Sequence, residues 1–209
     1  MPHSEPLHLI LSFALIYFGI WILAGQRESK FLVMASALPF VKRVWSSFLA
    51  TSGLEPILIP RLKLLEAVPG YVKMELTIEK SHTVSSTSRS SIISCVLTAK
   101  RMQNRLQILH GGTVASLVDL AGSLAVSSRG MYSTGVSTDL NVTYISSGGK
   151  VGDKIFIESR CHKLGRSLAF TSVEFFKSHK YELFARGTHT KYIAAAMKDE
   201  NNRLEEYKA

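Results

Sequence analysis

The stretch NRLQILHGGTVASLVDLAGSLAV, residues 104–126, decides the fold of this chain. From Thr113 to about Ser128 the sequence has the spacing of a buried helix, with an apolar residue at every third or fourth position. The small residues Ala115 and Gly122 would let strands approach this helix closely. The apolar stripe consists of Val114, Leu117, Val118, Ala121, Leu124 and Ala125. The pattern therefore predicts one long helix in the core.

Six strand-like segments flank this helix. Two precede it, Lys63 to Ala67 and Tyr71 to Ile78, and the Pro-Gly pair between them favours a hairpin turn. The four that follow are Thr134 to Ile145, Lys154 to His162, Ser167 to Phe176 and Tyr181 to Tyr192. One long helix among antiparallel strands predicts the α+β class.

Asp119 and a Gly-Gly pair are the chemically suggestive features of the helix. Asp119 is a carboxylate on a helix with almost no other charge, so it is either a solvated edge residue or a functional group. Gly111 and Gly112 come just before the helix, where free N–H groups can polarise a carbonyl, although such a pair is also a plain turn. Gly111 and Asp119 are eight residues apart, about 12 Å along a helix. They can act on one atom only if Asp119 comes from a second, antiparallel copy of the chain.

These residues resemble the hotdog-fold acyl-CoA thioesterases of the PaaI-like, thioesterase-superfamily-member-2 type. The similarity lies in NRLQILHGGTVASLVDLAGSLAV, GVSTDLNVTYIS, GRSLAFTSVEF and ARGTHTKYIA, in this order. It covers about Ile57 to His82 and Asn104 to Ala194. The resemblance implies a hotdog fold, an antiparallel sheet wrapped around the central helix, in a two-fold dimer that pairs into a homotetramer. It also implies hydrolysis of acyl-CoA to a free acid and CoA, with neither a cofactor nor a metal.

The resemblance also implies catalytic roles. Asn104 and Gly111 would come from one subunit, with the Gly111 N–H polarising the thioester carbonyl and Asn104 orienting the turn or the substrate. Asp119 and Ser137 would come from the facing subunit. Asp119 would act as general base on water or as nucleophile, and Ser137 would hold the water or the carboxylate in place. His110 is expected to be a structural turn residue, with a general base as the alternative.

Further substrate contacts are expected at the turn and on neighbouring strands. The segment after Ser137 resembles the family strand that lines the CoA and acyl path, and alternation places three of its polar residues on one face. Three cations on or beside neighbouring strands could pair with CoA phosphates, with Lys163 the first choice. Ordinary strand pairing and solvated surface charge are the alternatives. The predicted contacts are His110, Asp139, Asn141, Thr143, Tyr144, Lys163, Arg166 and Lys191.

The composition limits the partners of the chain. Its 209 residues suffice for one domain with extensions, and they carry a formal net charge of +9. A positive field attracts nucleic acid, anionic membranes or phosphorylated small molecules. The basic residues are scattered and not interleaved with aromatics, which disfavours nucleic acid. Cys95 and Cys161 lie far apart without metal-ligand neighbours, so we expect no disulfide framework, no zinc site and a reducing compartment.

The segment Leu7 to Gly25 predicts a membrane anchor. It is almost wholly apolar, about nineteen residues long, and just spans a hydrocarbon core of ~30 Å. Basic residues follow it and none precedes it, which would place the domain on the cytosolic or mitochondrial matrix side, with the mitochondrion as the leading location. A wrongly assigned start codon or a cleaved leader is the alternative. The predicted divisions are this apolar segment at 1–35, a capping helix at 36–56, the hotdog domain at 57–194 and a polar, charged tail at 195–209.

Residues 84–103 interrupt the family pattern immediately before Asn104. They begin with a Ser/Thr run, end in basic residues and follow neither a helical nor a strand period. Deleting them joins Thr83 to Asn104 and restores the pattern. The insertion is therefore either a retained in-frame intron or a genuine loop that would loosen Asn104.

Two other functions fit the same fold. A hydratase or dehydratase of acyl thioesters would need a catalytic histidine on or near the helix with a carboxylate partner, and the helix itself contains none. A non-catalytic acyl-CoA-binding or scaffold protein would keep the dimer and the ligand but not turnover.

Overall fold

The computed structural model describes residues 37–79 and 108–207. The helices are α1 (37–51), α2 (Glu55–Leu58) and α3 (Gly111–Ser127). The strands are β1 (Lys63–Val68), β2 (Tyr71–Thr77), β3 (Val136–Tyr144), β4 (Lys154–Leu164), β5 (Leu168–Lys177) and β6 (Glu182–Tyr192). Two short 3-10 helices follow, at Ala196–Lys198 and Leu204–Tyr207. Each predicted strand has an observed counterpart whose ends differ by at most two residues.

Three sequence predictions concern residues outside the described part of the chain. They are the membrane anchor at Leu7 to Gly25, the insertion at 84–103 and the catalytic role of Asn104. All three stay predictions. Within the described residues, no helix combines the length and apolar character needed to cross a membrane.

The six strands form one antiparallel sheet in the order β1-β2-β4-β5-β6-β3. Helix α3 lies across one face of this sheet and contacts every strand from β2 to β6. Leu117 and Leu124 of α3 are fully buried against Ile155 and Ile157 of β4 and Phe175 of β5, which occupy alternate positions of their strands. The predicted α+β architecture, an antiparallel sheet around one central helix, is confirmed.

Helix α1 adds a second layer to this core. Val41 and Val44 are fully buried and Trp45 nearly so, whereas Lys42 and Arg43 on the opposite side are exposed. This is the amphipathic spacing in which one stripe packs inward and charges face water. The helix therefore covers the domain and positions the segment leading into α2 beside α3.

The carboxy-terminal tail packs onto α1 through one aromatic anchor. Tyr207 is buried, and its ring lies 5.5 Å from that of Phe40, centroid to centroid. Asn202 Oδ1 accepts a hydrogen bond of 2.7 Å from the Tyr132 N–H. A tilted aromatic pair of this kind contributes about 0.5–1.5 kcal/mol beyond its buried area. Although polar in composition, the tail fixes α1 against the domain.

Candidate active site

His110 caps the amino terminus of α3. Its Nδ1 accepts a 2.9 Å hydrogen bond from the Gly112 N–H, so Gly111 and Gly112 form the first turn of the helix. The helix begins two residues earlier than predicted, because this cap satisfies an N–H that otherwise lacks an intrahelical acceptor. The predicted structural role of His110 therefore has a direct geometric basis, since its Nδ1 is occupied as an acceptor.

The Gly111 N–H, at the first residue of α3, has a fixed orientation. The His110 carbonyl oxygen accepts from Thr113 and Val114, at 3.0 and 3.2 Å, which fixes the peptide plane that carries the Gly111 N–H. The Tyr144 hydroxyl donates to the Gly111 carbonyl oxygen at 2.8 Å and fixes the next peptide plane. No acceptor within residues 37–79 or 108–207 takes the Gly111 N–H. It is therefore a preorganised donor at the positive end of the helix dipole.

Asp119 lies in the middle of α3 within a cluster of polar side chains. The Ser137 hydroxyl donates to Asp119 Oδ1 at 3.3 Å. His189 Nε2 and Lys191 Nζ lie 3.4 and 3.7 Å from the same oxygen. The Asp119 side chain is nevertheless 51% exposed, so this carboxylate is both held in place and open to solvent. Such a group can accept a proton from a bound water.

A β-bulge brings Ser137 to this cluster. Strict alternation would place Ser137 on the same face as Asp139, but the register shifts between these two residues. Ser137 consequently lies opposite Lys191, and Leu140 lies opposite His189, with all four on the side of the sheet that faces α3. Bulges of this kind redirect side chains at functional sites.

His189 is a member of the cluster that the sequence analysis missed. It is fully buried, and its Nε2 lies 2.9 Å from Ser137 Oγ. Room for its ring exists because residue 122 is glycine: a Cβ there would lie 2.7 Å from His189 Nδ1 and 2.7 Å from Thr171 Oγ1. The alternation of side chains along β6 could have identified it, because this alternation places His189 on the inner face of the sheet with Ala185 and Lys191.

A histidine with a carboxylate partner therefore does lie beside α3, which the sequence of the helix alone did not indicate for the hydratase alternative. Burial, followed by the Lys191 charge, lowers the His189 pKa to about 4, so the imidazole is neutral at neutral pH. A fully buried, neutral ring that contacts Ser137 orients the hydroxyl. The ring reaches the cluster through Nε2, which lies 2.9 Å from Ser137 Oγ and 3.4 Å from Asp119 Oδ1.

This pKa gives a stability prediction. The folded pKa lies below the ordinary value of 6.5, so the unfolded chain takes up a proton first as the pH falls. The contribution of neutral His189 is complete above about pH 6.5 and is lost as the pH falls towards about 4. We expect the free energy of unfolding in urea to fall over this window, and to fall less in His189→Gln, which keeps a donor near Ser137. An imidazole NMR titration with a midpoint near the ordinary value would contradict this assignment.

Lys191, for which a contact with a CoA phosphate is predicted, is buried. It is 3% exposed, and its Nζ donates to Ser123 Oγ at 2.7 Å beside Asp119. Burial lowers its pKa, which the nearby Asp119 charge opposes. The ammonium group therefore interacts with Ser123 and Asp119. Its predicted contact with CoA stays a prediction, although Lys191 also lines the cavity described below.

A cavity of about 400 Å³ opens beside Asp119. Helix α1 and the residues after it form one wall, α3 the second, and the segment entering β3 the third. The lining residues are Phe48, Ser52, Glu55, Asp119, Leu120, Ser123, Thr134, Gly135, Val136, Ser137 and Lys191. In the described part of the chain, no three His, Cys, Asp or Glu side chains are grouped to hold a metal ion. The cavity has the size and mixed lining of a small-ligand site.

The other predicted contacts lie away from this cavity. Asn141 and Thr143 share a face, as expected, but it is the outer face of the sheet, where they line a groove of about 380 Å³ with Arg186. Asp139 is exposed on the same strand, opposite Thr190. Within a single chain, the sheet separates these residues from Asp119. Their contact with CoA stays a prediction.

Lys163 and Arg166 are exposed at the connection between β4 and β5. This connection is at the end of the sheet where β3 begins, since Ala169 pairs with Lys191 and Lys191 pairs with Ser137. The two cations therefore lie at the Ser137 end of the sheet and face solvent.

Comparisons with known proteins agree with this architecture. Residues 106–184 match the family model described as Thioesterase superfamily. A Schizosaccharomyces pombe protein with the provisional name of an esterase is 39% identical over 168 residues, which is 80% of this chain and 91% of that protein. Human acyl-coenzyme A thioesterase 13 is 34% identical over 133 residues, which is 64% of this chain and 80% of that protein.

A solved structure shares the same fold at a similar level of identity. The crystal structure of zebrafish thioesterase superfamily member 2 has a TM-score of 0.60 and 31% identity, covering 74% of this chain and 96% of that one. This chain thus resembles thioesterases along most of its described length, which includes the sheet, the central helix, Gly111 and Asp119. The chain belongs to the thioesterase superfamily and is a hotdog-fold thioesterase.

Proposed function

We propose that this thioesterase hydrolyses acyl-coenzyme A to a free acid and CoA in sites shared between two subunits. The supporting observation is the arrangement of α3. At its amino terminus, the Gly111 N–H has no acceptor among the described residues. In its middle, the Asp119 carboxylate accepts a hydrogen bond from Ser137 and is exposed to solvent. Eight residues of helix separate them, or about 12 Å. Each α3 therefore contributes its Gly111 N–H to one site and its Asp119 carboxylate to the other.

The surface beside Asp119 is suited to a second copy of the chain. β3 is an edge strand and pairs only with β6 among the described strands. Val136, Leu140 and Tyr144 on this strand and Ile145 just beyond it are exposed apolar side chains. An exposed edge with such residues is a template for pairing with another chain. A two-fold axis beside β3 would set the two α3 helices antiparallel. The tetramer implied by the family resemblance stays a prediction.

The exposed stripe of α3 fits the same arrangement. Gly112, Ser116 and Asp119 are spaced three to four residues apart, so they line one side of the helix, and none is buried. Small side chains at this stripe permit close approach of the facing α3. The approach would bring Gly111 of one subunit towards Asp119 of the other.

In this site each subunit supplies a different catalytic group. The Gly111 N–H donates to the thioester carbonyl oxygen and stabilises the negative charge that develops as water attacks. Asp119 of the facing subunit takes a proton from that water. Ser137 holds the carboxylate, His189 orients Ser137, and Lys191 fixes the Asp119 charge. The tetrahedral intermediate then expels the CoA thiolate and leaves the free acid.

The human relative with 34% identity is named for acyl-coenzyme A, and this supports CoA as the thiol component. The exposed Lys163 and Arg166 provide cations for its phosphates near the Ser137 end of the sheet. The alternative is an acyl-CoA-binding protein without turnover. Incubating the purified full chain with a panel of acyl-CoA lengths and measuring released thiol distinguishes the two. We expect multiple turnovers, and saturable binding without thiol release would favour the alternative.

A further inference from the structure

Residues 199–207 of the carboxy-terminal tail connect two walls of the cavity beside Asp119. One of these walls is formed by α1 and the residues after it, and the other by residues 134–137, which lead into β3. The tail contacts α1 on one side and residues 130–133, directly before the second wall, on the other. It is therefore placed to fix the separation of the two walls.

Asp199 is the centre of this connection. Its Oδ2 accepts a hydrogen bond from the Ser133 hydroxyl. Its Oδ1 accepts from the Asn201 backbone N–H at 2.9 Å and from Asn201 Nδ2 at 3.1 Å. The hydrogen bond from Ser133 holds the pKa of the Asp199 carboxyl below its ordinary value, so this group is ionised at neutral pH. Hydrogen bonds to an ionised acceptor are stronger than those between neutral groups.

Asn201 continues the connection to α1. The Arg43 guanidinium donates to Asn201 Oδ1 at 3.2 Å. Arg43 lies five residues before Phe48, about 7.5 Å along the helix, and Phe48 lines the cavity. A continuous series of hydrogen bonds thus runs from Ser133 through Asp199 and Asn201 to α1.

Other contacts attach the tail independently of Asp199. The Arg203 N–H donates to the Gly130 carbonyl oxygen at 2.6 Å, and Asn202 bonds the Tyr132 N–H. Gly130 has a φ of +87°, and a Cβ there would lie 2.4 Å from the Arg203 carbonyl oxygen. The tail therefore follows this turn more closely than a side chain would permit. A change at Asp199 should leave the tail attached and alter only the connection between the walls.

We infer that Asp199 is a positioning residue for the hydrolysis: it fixes residues 134–137 relative to α1 and so holds Ser137 in place. This inference rests on the proposed acyl-CoA hydrolysis and gives the tail a role in it. Ser137 lies four residues after Ser133, and its hydroxyl donates to Asp119 Oδ1 at 3.3 Å. Without the bond to Asp199, this segment gains freedom and the Asp119 carboxylate loses a fixed partner. A misplacement of about 1 Å can cost about a hundredfold in rate.

The test measures kcat/KM for acyl-CoA substrates from butyryl to dodecanoyl, and amide hydrogen exchange, in full-length variants. Asp199→Ala should lower kcat/KM by about tenfold or more, mainly through kcat, and should speed exchange in peptides that cover residues 133–137. Asp199→Asn, which keeps one acceptor oxygen and the shape of the side chain, should retain an intermediate kcat/KM. Glu200→Ala, a similar truncation at the neighbouring exposed residue, is the matched control and should leave both quantities unchanged.

A second variant breaks the same connection at its other end. Arg43→Met removes the donor to Asn201 and leaves Asp199 and Ser133 bonded. It should lower kcat/KM by more than about twofold. This variant decides the question even if Asp199→Ala does not fold, since a kcat/KM equal to that of the unchanged protein would then overturn the inference.

A destabilised control separates this role from a loss of stability. Val72→Ala truncates a fully buried side chain of β2, which three strands separate from β3 and which does not line the cavity. It should lower the unfolding midpoint but keep kcat/KM within twofold at temperatures well below that midpoint. An equal loss of kcat/KM in Val72→Ala and Asp199→Ala, or unchanged kcat/KM or exchange in Asp199→Ala, overturns the inference and leaves acyl-CoA hydrolysis intact. Absence of hydrolysis by the unchanged protein overturns the proposed function and, with it, the positioning role.

Discussion

Asp119→Asn should abolish most of the acyl-CoA hydrolysis of this protein while leaving its fold and its oligomeric state unchanged. The amide has the shape of the carboxylate but cannot take a proton from water. Loss of a positioned general base lowers kcat by about 10²–10⁴-fold. The KM should change far less, because the cavity walls and the Gly111 donor are unaltered. Steady-state thiol release, together with size-exclusion chromatography of the variant, measures both expectations.

The matched control for this variant is Glu200→Gln, which makes the same chemical change at an exposed position. It should retain the activity of the unchanged protein. Asp119→Asn also leaves the buried Lys191 ammonium without its nearest carboxylate, so a lower unfolding midpoint is expected. Hydrolysis at the unchanged rate in folded Asp119→Asn would remove Asp119 from the mechanism.

Gly111→Pro should remove the carbonyl-polarising donor without breaking α3. Gly111 is the first residue of the helix, a position where proline is well tolerated because its missing N–H has no intrahelical acceptor. His110 already has the extended backbone, φ −73° and ψ 136°, that a residue before proline prefers. The variant therefore deletes a single donor. Losing one such donor costs about 10²–10³ in kcat.

Gly111→Ala is the control that keeps the N–H. A Cβ at this position would lie 3.4 Å from the Tyr144 ring, which is an ordinary contact distance. The alanine variant should therefore retain most of the activity, and circular dichroism should show intact helix in both variants. Equal kcat values for the proline and alanine variants would mean that the Gly111 N–H does not polarise the carbonyl.

The architecture could be predicted from the sequence because it depends on local patterns. The helical stripe of α3 and the alternation in the strands specify burial directly, and turn residues such as the Pro-Gly pair mark where strands reverse. Asp119 could also be identified, since a lone carboxylate on an apolar helix is conspicuous. The start of α3 was misplaced by two residues because the His110 cap depends on side-chain geometry.

The rest of the site depends on contacts between distant parts of the chain. Alternation alone would have turned Ser137 away from α3, and only the bulge between Ser137 and Asp139 brings it to Asp119. His189 and Lys191 were not recognised as parts of the cluster, because their burial follows from the packing of β6 against α3. Glu55 likewise reaches the cavity through the packing of the helical layer before β1. Strand alternation places His189 and Lys191 on the inner face of β6, but their contact with Asp119 depends on the packing of that face against α3.

The central claim, that each site combines Gly111 of one subunit with Asp119 of the other, can be tested by mixing two inactive variants. Gly111→Pro and Asp119→Asn subunits are combined under conditions of subunit exchange, and thiol release is compared with that of each variant alone. A mixed dimer contains one site with both defects and one with none, so equal mixing should restore roughly one quarter of the unchanged activity. Activity that stays at the level of the separate variants, although exchange is demonstrated, would contradict the shared site.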